Sequence, residues 1–178
     1  FDGADHIHVD HAGAMADAHH MLERAGCRRL AIVSSTIGSP SLTARERLFQ
    51  AAAEAVGHEC RIIRTGPTSY ANGVEAARRL LAARDRPDGA TALIACGFMD
   101  CARQDFGLSI PDDLCVVGFD DIEMAGWSSY RLTTFAQPLA EMAEAIVALL
   151  ERSGEEERAE VQHLFPVPPV WRSTVRPA

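Results

Sequence analysis

Short apolar runs alternate with longer amphipathic stretches along the sequence. Short runs bounded by polar residues are typical of buried strands, and longer stretches with one apolar face are typical of the helices that cover them. Their alternation predicts parallel β/α units and a fold of the α/β class. We predict strands at His6–Val9, Leu30–Ser34, Cys60–Arg64, Ala92–Cys96 and Leu114–Gly118, and helices at Ala12–Ala25, Leu42–Val56, Gly73–Ala83, Phe98–Phe106 and Pro138–Arg152.

The ends of several predicted helices carry residues that start or stop a helix. Gly26 and Gly57 stand where a helix ends in the left-handed conformation that glycine adopts without strain. Pro138 has the fixed φ that is favoured in a first helical turn. The polar, acidic stretch Ser153–Glu160 predicts a solvated loop after the last helix.

Composition excludes several classes of protein. With 178 residues, 47% hydrophobic and 24% charged, the chain has the make-up of a globular protein. Its net charge of −8 argues against a phosphate-backbone grip by this part of the chain, so any DNA contact has to come from elsewhere. We find no apolar run near the roughly 18 to 20 residues that span a bilayer, and no signal-peptide pattern at Phe1.

The chemistry of the side chains narrows the choice further. All 17 basic residues are arginine, so neither a Walker-type phosphate loop nor a Schiff-base lysine can form. The cysteines are odd in number and scattered, without a C-x-x-C pair, which favours buried reduced thiols over disulfides or a zinc site. They are Cys27, Cys60, Cys96, Cys101 and Cys115.

The stretch 109–138, SIPDDLCVVGFDDIEMAGWSSYRLTTFAQP, is the most informative part of the sequence. The apolar run Leu114–Gly118 predicts a strand buried on both faces, and Asp120 and Asp121 follow at its carboxyl end. Open α/β sheets bind ligands at that end of their strands. We therefore predict a ligand site beside the aspartates.

The same stretch resembles the signature of the lactose-repressor (LacI/GalR) family of sugar-responsive transcription regulators, G-x-x-(I/V)-P-D-D-(I/V/L)-x-V-V-G-(F/Y)-D-D followed by L-T-T-(I/V/F)-x-Q-P. Residues 26–33 resemble the family's G-H-(R/K)-(R/K)-I-A segment, with Cys27 in place of the usual His, and residues 164–174 resemble its closing segment. The matching signature residues are Gly107, Ile110, Pro111, Asp112, Asp113, Val116, Val117, Gly118, Phe119, Asp120, Asp121, Leu132, Thr133, Thr134, Gln137 and Pro138.

The resemblance implies a periplasmic-binding-protein-like (type I) fold, with doubly wound parallel sheets in two subdomains. It assigns residues 1–28 and 136–160 to an amino-side subdomain, and residues 29–135 and 161–178 to a carboxyl-side subdomain. By the same analogy the sequence begins near the end of the first subdomain. We expect the natural protein to be longer, with a helix-turn-helix and half a subdomain ahead of this chain.

One segment departs from the family pattern. The family continues its strand into x-N-D-x-x-A-x-G, whereas here Ala95-Cys96 runs directly into Gly97-Phe98. The segment is either genuinely shortened or has lost a handful of residues from the sequence between Cys96 and Gly97. A strand end that meets a helix start with one glycine leaves no room for an N-cap, which favours the second interpretation.

Three residues are the leading candidates for ligand binding. Arg47 stands where the resemblance places the family's effector arginine, in R-x-x-G-(F/Y), with Gln50 replacing the glycine. Its guanidinium offers a planar fork of donors for paired hydroxyls or a carboxylate, and a salt bridge with Glu46 is the structural alternative. Asp120 can accept hydrogen bonds from two vicinal hydroxyls. Gln137 either contacts the ligand or serves only as part of a hinge.

The remaining candidates have closer structural alternatives. Tyr70 and Trp127 could stack on a sugar face, although Trp127 could equally pack against another subunit. Asp10 occupies the position that the family pattern places at the mouth of the cleft. Asp121 is more natural as a cap on the following segment, and Asp112, with its neighbour in the turn, as a turn-former.

Two groups of residues in the sequence could indicate an enzyme instead of a binding protein. His6, His8 and Asp10 alternate along a predicted strand, as in some metal-dependent hydrolases, but no second ligand group stands at a helpful spacing. Ser34 and Ser35 end a strand without a G-x-S-x-G elbow or an ordered acid–histidine pair. We expect neither catalysis nor a cofactor or metal.

The resemblance therefore implies the effector-binding core of a cytoplasmic transcriptional repressor. The intact protein would bind operator DNA as a homodimer through an amino-terminal domain that this chain lacks, and it would have no membrane partner. A small molecule, expected to be a carbohydrate, would control DNA binding allosterically. The main alternative is a periplasmic sugar-binding protein of a transport system, which shares the fold.

Overall fold

The computed structural model describes residues 5–92, 95–151 and 162–177. Its helices are α1 (His11–Arg24), α2 (Pro40–Ala55), α3 (Tyr70–Leu81), α4 (Ala95–Gln104) and α5 (Leu139–Glu151). Its strands are β1 (His6–Val9), β2 (Arg29–Ser35), β3 (Glu59–Thr65), β4 (Gly89–Ala92), β5 (Cys115–Val117), β6 (Thr134–Phe135), β7 (Gln162–Phe165) and β8 (Pro169–Val170).

The centre of the fold is a parallel four-stranded sheet in the order β3-β2-β4-β5. Along β2 successive side chains point to opposite faces of the sheet, as in any strand. Leu30 and Ile32 enter a core with α1 and α2, whereas Ala31 and Val33 enter a second core with α3 and α4. Helices therefore cover both faces, which is the doubly wound arrangement that the family resemblance implies and that fits the parallel β/α units predicted from the sequence pattern.

The two helix layers are closely packed. Phe49 of α2 and Phe98 of α4 are both fully buried, one in each core. A Cβ atom on Gly97 would lie 2.1 Å from the carbonyl oxygen of Tyr70, so only glycine allows α4 to approach the start of α3 this closely.

Two small sheets join the chain segments beside the main sheet. β1 pairs in parallel with β7, and β6 pairs antiparallel with β8. The assignment of residues 1–28 and 136–160 to one subdomain stays a prediction. However, α1 packs against α2 in the core of the four-stranded sheet, and β7 lies beside β1, which favours a boundary near residue 10 and places 162–165 with the amino-side segment.

The pattern-based elements are confirmed apart from one strand. The prediction of a strand at Ala92–Cys96 was wrong. β4 comprises Gly89–Ala92, and Cys96 lies in the first turn of α4. The run of apolar residues there continues from strand into helix, so hydrophobicity alone does not mark the boundary. Gly26 and Gly57 have φ of 82° and 75°, as predicted for helix stops. The predicted loop Ser153–Glu160 lies outside the described residues.

Candidate functional site

The candidate site lies where β5 ends. Gly118 fits closely against Leu132, because a Cβ atom there would lie 2.6 Å from the leucine Cδ2. Asp120 and Asp121 then both adopt positive φ, 79° and 43°, which turns the chain sharply after the strand. Non-glycine residues rarely adopt this conformation, and aspartate is among those that tolerate it best. The turn leaves the Asp120 side chain exposed at the carboxyl edge of the sheet.

Arg45 of α2 is the buried cation of this site. Its side chain is 7% exposed, and its guanidinium carbon lies 4.0 Å from the centre of the Phe119 ring. Among the described residues, neither Nε nor Nη1 has a hydrogen-bond partner. Burial lowers the pKa of the Arg45 guanidinium, and the negative charge of Asp120 opposes that shift. Unpaired buried donors are costly, so these two groups are available to a further hydrogen-bond acceptor.

Gln137 and Asp120 face each other across the cleft. The side-chain amide of Gln137 donates a hydrogen bond to Oδ1 of Asp120. This bond joins the end of β5 to the segment that leads into α5. It also leaves Oδ2 of Asp120 and the amide oxygen of Gln137 as acceptors for a ligand hydroxyl.

His11, the first residue of α1, lies on the same side as Arg45. Its ring centre is 6.1 Å from that of Phe119, and its Nδ1 is buried with no partner among the described residues. Burial lowers the pKa of His11, and the positive charges of Arg45 and His8 lower it further, against the opposing charges of Asp10 and Asp120. The imidazole is therefore neutral near pH 7 and can act as a hydrogen-bond partner.

An apolar pocket of about 260 Å³ opens beside Asp120. Its walls come from the start of α3, the end of β4, the start of α4 and the segment after β5. The lining residues are Thr68, Ser69, Tyr70, Ala92, Ala95, Cys96, Gly97, Phe119, Asp120, Ile122, Met124, Ala125 and Leu132.

A carboxylate under the pocket orients two tyrosines. Asp100 Oδ2 accepts hydrogen bonds from the hydroxyls of Tyr70 and Tyr130, both at 2.8 Å. These bonds, with Asp100 as acceptor, raise the pKa of the exposed Tyr70, whereas burial is the main reason that the pKa of Tyr130 is raised. The Tyr70 hydroxyl is thus engaged, and the ring is the part left to contact a ligand.

The structure brings some predicted residues together and separates others. Asp120, Gln137 and Tyr70 lie around the cleft, whereas Arg47 is exposed on α2 and away from the buried side that carries Arg45. Asp10 accepts a hydrogen bond from the backbone of Gly13 at 2.8 Å and caps α1.

The other candidates have structural partners or positions. Asp121 forms an ion pair with Arg172 at 2.7 Å, rather than the helix cap expected for it. Trp127 is 49% exposed and is not among the residues that line the pocket. Ser35 donates a hydrogen bond to the carbonyl of Gly66, whereas the Ser34 hydroxyl is buried without a partner among the described residues.

Sequence reasoning missed Arg45, although a signal was present. Arg45, Phe49 and Ala53 are spaced four residues apart along α2 and are all buried. Residues at that spacing share one face of a helix. Arg45 precedes Phe49 by one turn and therefore faces inward with it. The family pattern R-x-x-G-(F/Y) then aligns with Arg45-x-x-Leu48-Phe49, with leucine in place of the glycine.

Residues 5–92, 95–151 and 162–177 contain no cluster of three or more His, Cys, Asp or Glu side chains that could hold a metal ion. In the same ranges, none of the helices combines the length and the hydropathy that crossing a bilayer requires.

The sheet carries a buried arginine, a carboxylate and an open pocket at its carboxyl edge. These features are typical of an α/β ligand-binding domain. Comparison with known proteins agrees. The chain belongs to the periplasmic binding protein-like domain family, which matches residues 18–175, and it is similar to LacI-type transcription regulators.

Individual relatives place the chain more closely. It is 29% identical over 152 residues to catabolite control protein A of Priestia megaterium, and 29% identical over 155 residues to the transcriptional repressor CytR of Escherichia coli; each alignment covers 82% of this chain. The chain spans 46% and 44% of these relatives, which is less than half of their length.

Solved structures show the same likeness. A ribose-bound LacI-family regulator from Enterococcus faecium superposes with a TM-score of 0.87 at 25% identity, covering 100% of this chain and 68% of that one. A LacI regulator from a Rhodococcus species gives 0.87 at 27% identity, covering 98% and 66%. CytR and several other curated relatives are repressors, which favours a regulatory domain over a transport receptor.

Proposed function

We propose that this chain is the effector-binding core of a DNA-binding transcription regulator, and that the effector binds at the carboxyl edge of the four-stranded sheet. The observation that carries the proposal is the guanidinium of Arg45, which is 7% exposed and has two unpaired N–H groups close to Asp120. A bound ligand that accepts from these groups would offset the cost of burying them.

The chemistry of the cleft fits a hydroxylated ligand. Arg45 supplies a planar fork of donors, and Asp120 supplies a carboxylate that accepts from neighbouring hydroxyls. Gln137 can both donate and accept. The ribose-bound relative supports a carbohydrate or a related molecule as the effector.

We assign the ligand contacts to Arg45, Asp120, Gln137 and Tyr70. Arg45 takes the role predicted from sequence for Arg47, because Arg45 is buried against Phe119 and Arg47 is exposed. Asp10 remains a weaker proposal, since its carboxylate already caps α1.

The effector would regulate DNA binding because the two binding equilibria are linked through the arrangement of the subdomains. Within the intact protein, a helix-turn-helix would bind operator DNA as part of a homodimer in the cytoplasm, and the effector would favour one arrangement of the two subdomains. It changes DNA affinity only to the extent that it binds the two arrangements differently. This role requires no catalysis, cofactor or metal.

A thermal-shift screen of the full-length protein tests the proposal. The panel contains sugars, sugar acids, polyols and nucleosides, and the variants are Arg45→Ala, Asp120→Asn and the matched control Arg47→Ala. A ligand at about a hundred times its Kd stabilises the protein by about 2.7 kcal/mol, which gives a clear rise in Tm.

We expect Arg45→Ala and Asp120→Asn to abolish the ligand-specific rise, and Arg47→Ala to retain it. A rise that depends on Arg47 instead of Arg45 would reverse the assignment of the arginine. Ligand binding that is indifferent to all three changes would place the effector outside this cleft.

A further inference from the structure

The pocket beside Asp120 is poorly suited to a ligand covered with hydroxyls. Asp120 is its one charged residue among the lining residues that the structure describes, and it stands at the rim. The deeper wall is formed by buried apolar side chains such as Ala92, Cys96 and Leu132. A sugar hydroxyl placed there would lose its water without gaining a partner.

The other polar side chains of the lining do not change this. Thr68 and Ser69 are exposed, so their hydroxyls face solvent at the opening of the pocket, and Ser69 Oγ already accepts hydrogen bonds from Asn72. The Tyr70 hydroxyl already donates to Asp100, so its ring faces a ligand without a free donor. Cys96 offers only a thiol, which is a weak donor, and burial raises its pKa so that it stays neutral. The strong hydrogen-bonding groups are instead Arg45, Asp120 and Gln137.

The size of the pocket fits one ring. A dry apolar cavity of roughly 150 Å³ is enough to bind benzene, and this pocket has a volume of about 260 Å³. Tyr70 adds a flat aromatic surface to its wall, and Phe119, whose ring carries Arg45 and stacks with Phe135, adds apolar surface beside it. Aromatic rings pack favourably against such surfaces in offset or edge-on arrangements.

Building on the function proposed above, we propose that the effector is amphiphilic. Its hydroxylated end binds to Arg45, Asp120 and Gln137, and a single apolar ring of phenyl size fills the pocket beside them. A nucleobase fits less well, because its ring nitrogens and exocyclic groups would be buried against apolar walls without hydrogen bonds.

Calorimetric titration of the full-length protein with matched glycosides tests this. Each pair consists of the methyl and the phenyl glycoside of one sugar, for glucose, galactose, xylose and ribose, and adenosine and cytidine serve as nucleobase-bearing ribosides. We expect at least one phenyl glycoside to bind at least tenfold more tightly than its methyl partner, which corresponds to about 1.4 kcal/mol.

Two methionine variants test whether the phenyl ring binds in this pocket. Met124 lines the pocket and is half-buried, whereas Met142 is similarly half-buried on α5 and packs against the other core. Met124→Gln introduces an amide into the apolar wall and should reduce the phenyl preference to less than threefold. Met142→Gln should leave it above tenfold.

The outcomes separate this inference from the function on which it rests. Methyl and phenyl partners that bind equally, or a riboside with a nucleobase that binds more tightly than phenyl riboside, would overturn the amphiphilic effector and leave the effector cleft in place. A phenyl preference that survives Met124→Gln would also overturn the assignment to this pocket. Failure of every glycoside and nucleoside to bind would contradict both proposals.

Discussion

Two regions of the molecule bury their apolar side chains to very different extents. The sheet region, β2–β5 with α1–α4, contains fully buried residues on every one of its helices, including Leu22 and Phe98. The α5 region, β1 and β7 with α5, has no buried residue on its helix. The exposed apolar side chains there are Leu139, Ile146, Val147, Leu150 and Leu164.

The comparison shows that an apolar helix sequence does not by itself bury the side chains of the helix. α5, LAEMAEAIVALLE, is rich in Ala, Leu, Ile and Val, and its composition is more apolar than that of α1. Burial requires a second layer, and only the sheet region has helices on both faces of a sheet among the described residues. We expect stability to be concentrated in that region.

A pair of leucine truncations should give the largest contrast. Leu22→Ala removes a fully buried side chain from α1 and should lower the free energy of unfolding by about 2 to 5 kcal/mol. In the 178-residue chain, Leu139→Ala removes a side chain that is 67% exposed and should change the free energy of unfolding by less than about 0.5 kcal/mol. Urea denaturation measures both. Equal losses would mean that the two regions are equally well packed.

A glycine substitution tests how tightly the helices of the sheet region fit. Gly97→Ala places a Cβ atom 2.1 Å from the Tyr70 carbonyl oxygen and should cost about 1 to 3 kcal/mol as α4 moves away from α3. Gly38→Ala is the control, because nothing lies within 4 Å of its Cβ position. The difference in urea midpoint measures the effect. If the two variants have the same urea midpoint, α3 and α4 can move apart at no cost, and the sheet region is packed less tightly than we infer.

The smallest effect should be a pH dependence at His11, which lies where the two regions meet. Burial lowers the pKa of His11 and of His19 below the usual 6.5. The unfolded chain therefore binds more protons as the pH falls through 6.5, so stability should rise as the pH is raised toward 7. We expect His11→Asn to flatten this slope of the urea midpoint.

The control for the pH experiment is His163→Asn, which changes an exposed residue of β7 and should retain the slope of the unmodified protein. A slope that His11→Asn leaves unchanged would show that the imidazole is as well solvated in the folded state as in the unfolded one. The remaining dependence should come from His19, whose ring nitrogen lies 3.3 Å from that of His58.

Much of the fold could be predicted from sequence because it depends on local patterns. The short apolar run predicts the strand at Leu30–Ser34, which the structure has as β2, and Gly26 and Gly57 stop helices where their backbone adopts positive φ. The position of Asp120 at the end of a buried strand predicts a place at the ligand edge of the sheet. These properties need only a few neighbouring residues.

The tertiary structure alone decided which side chains meet. The four-residue spacing of Arg45 with Phe49 and Ala53 marks Arg45 as the inward-facing arginine of α2, but only the packing of α2 against the sheet places it over Phe119. The bonds from Tyr70 and Tyr130 to Asp100 join segments about 30 residues apart. Such contacts depend on how helices pack across a sheet, and no local pattern carries that information.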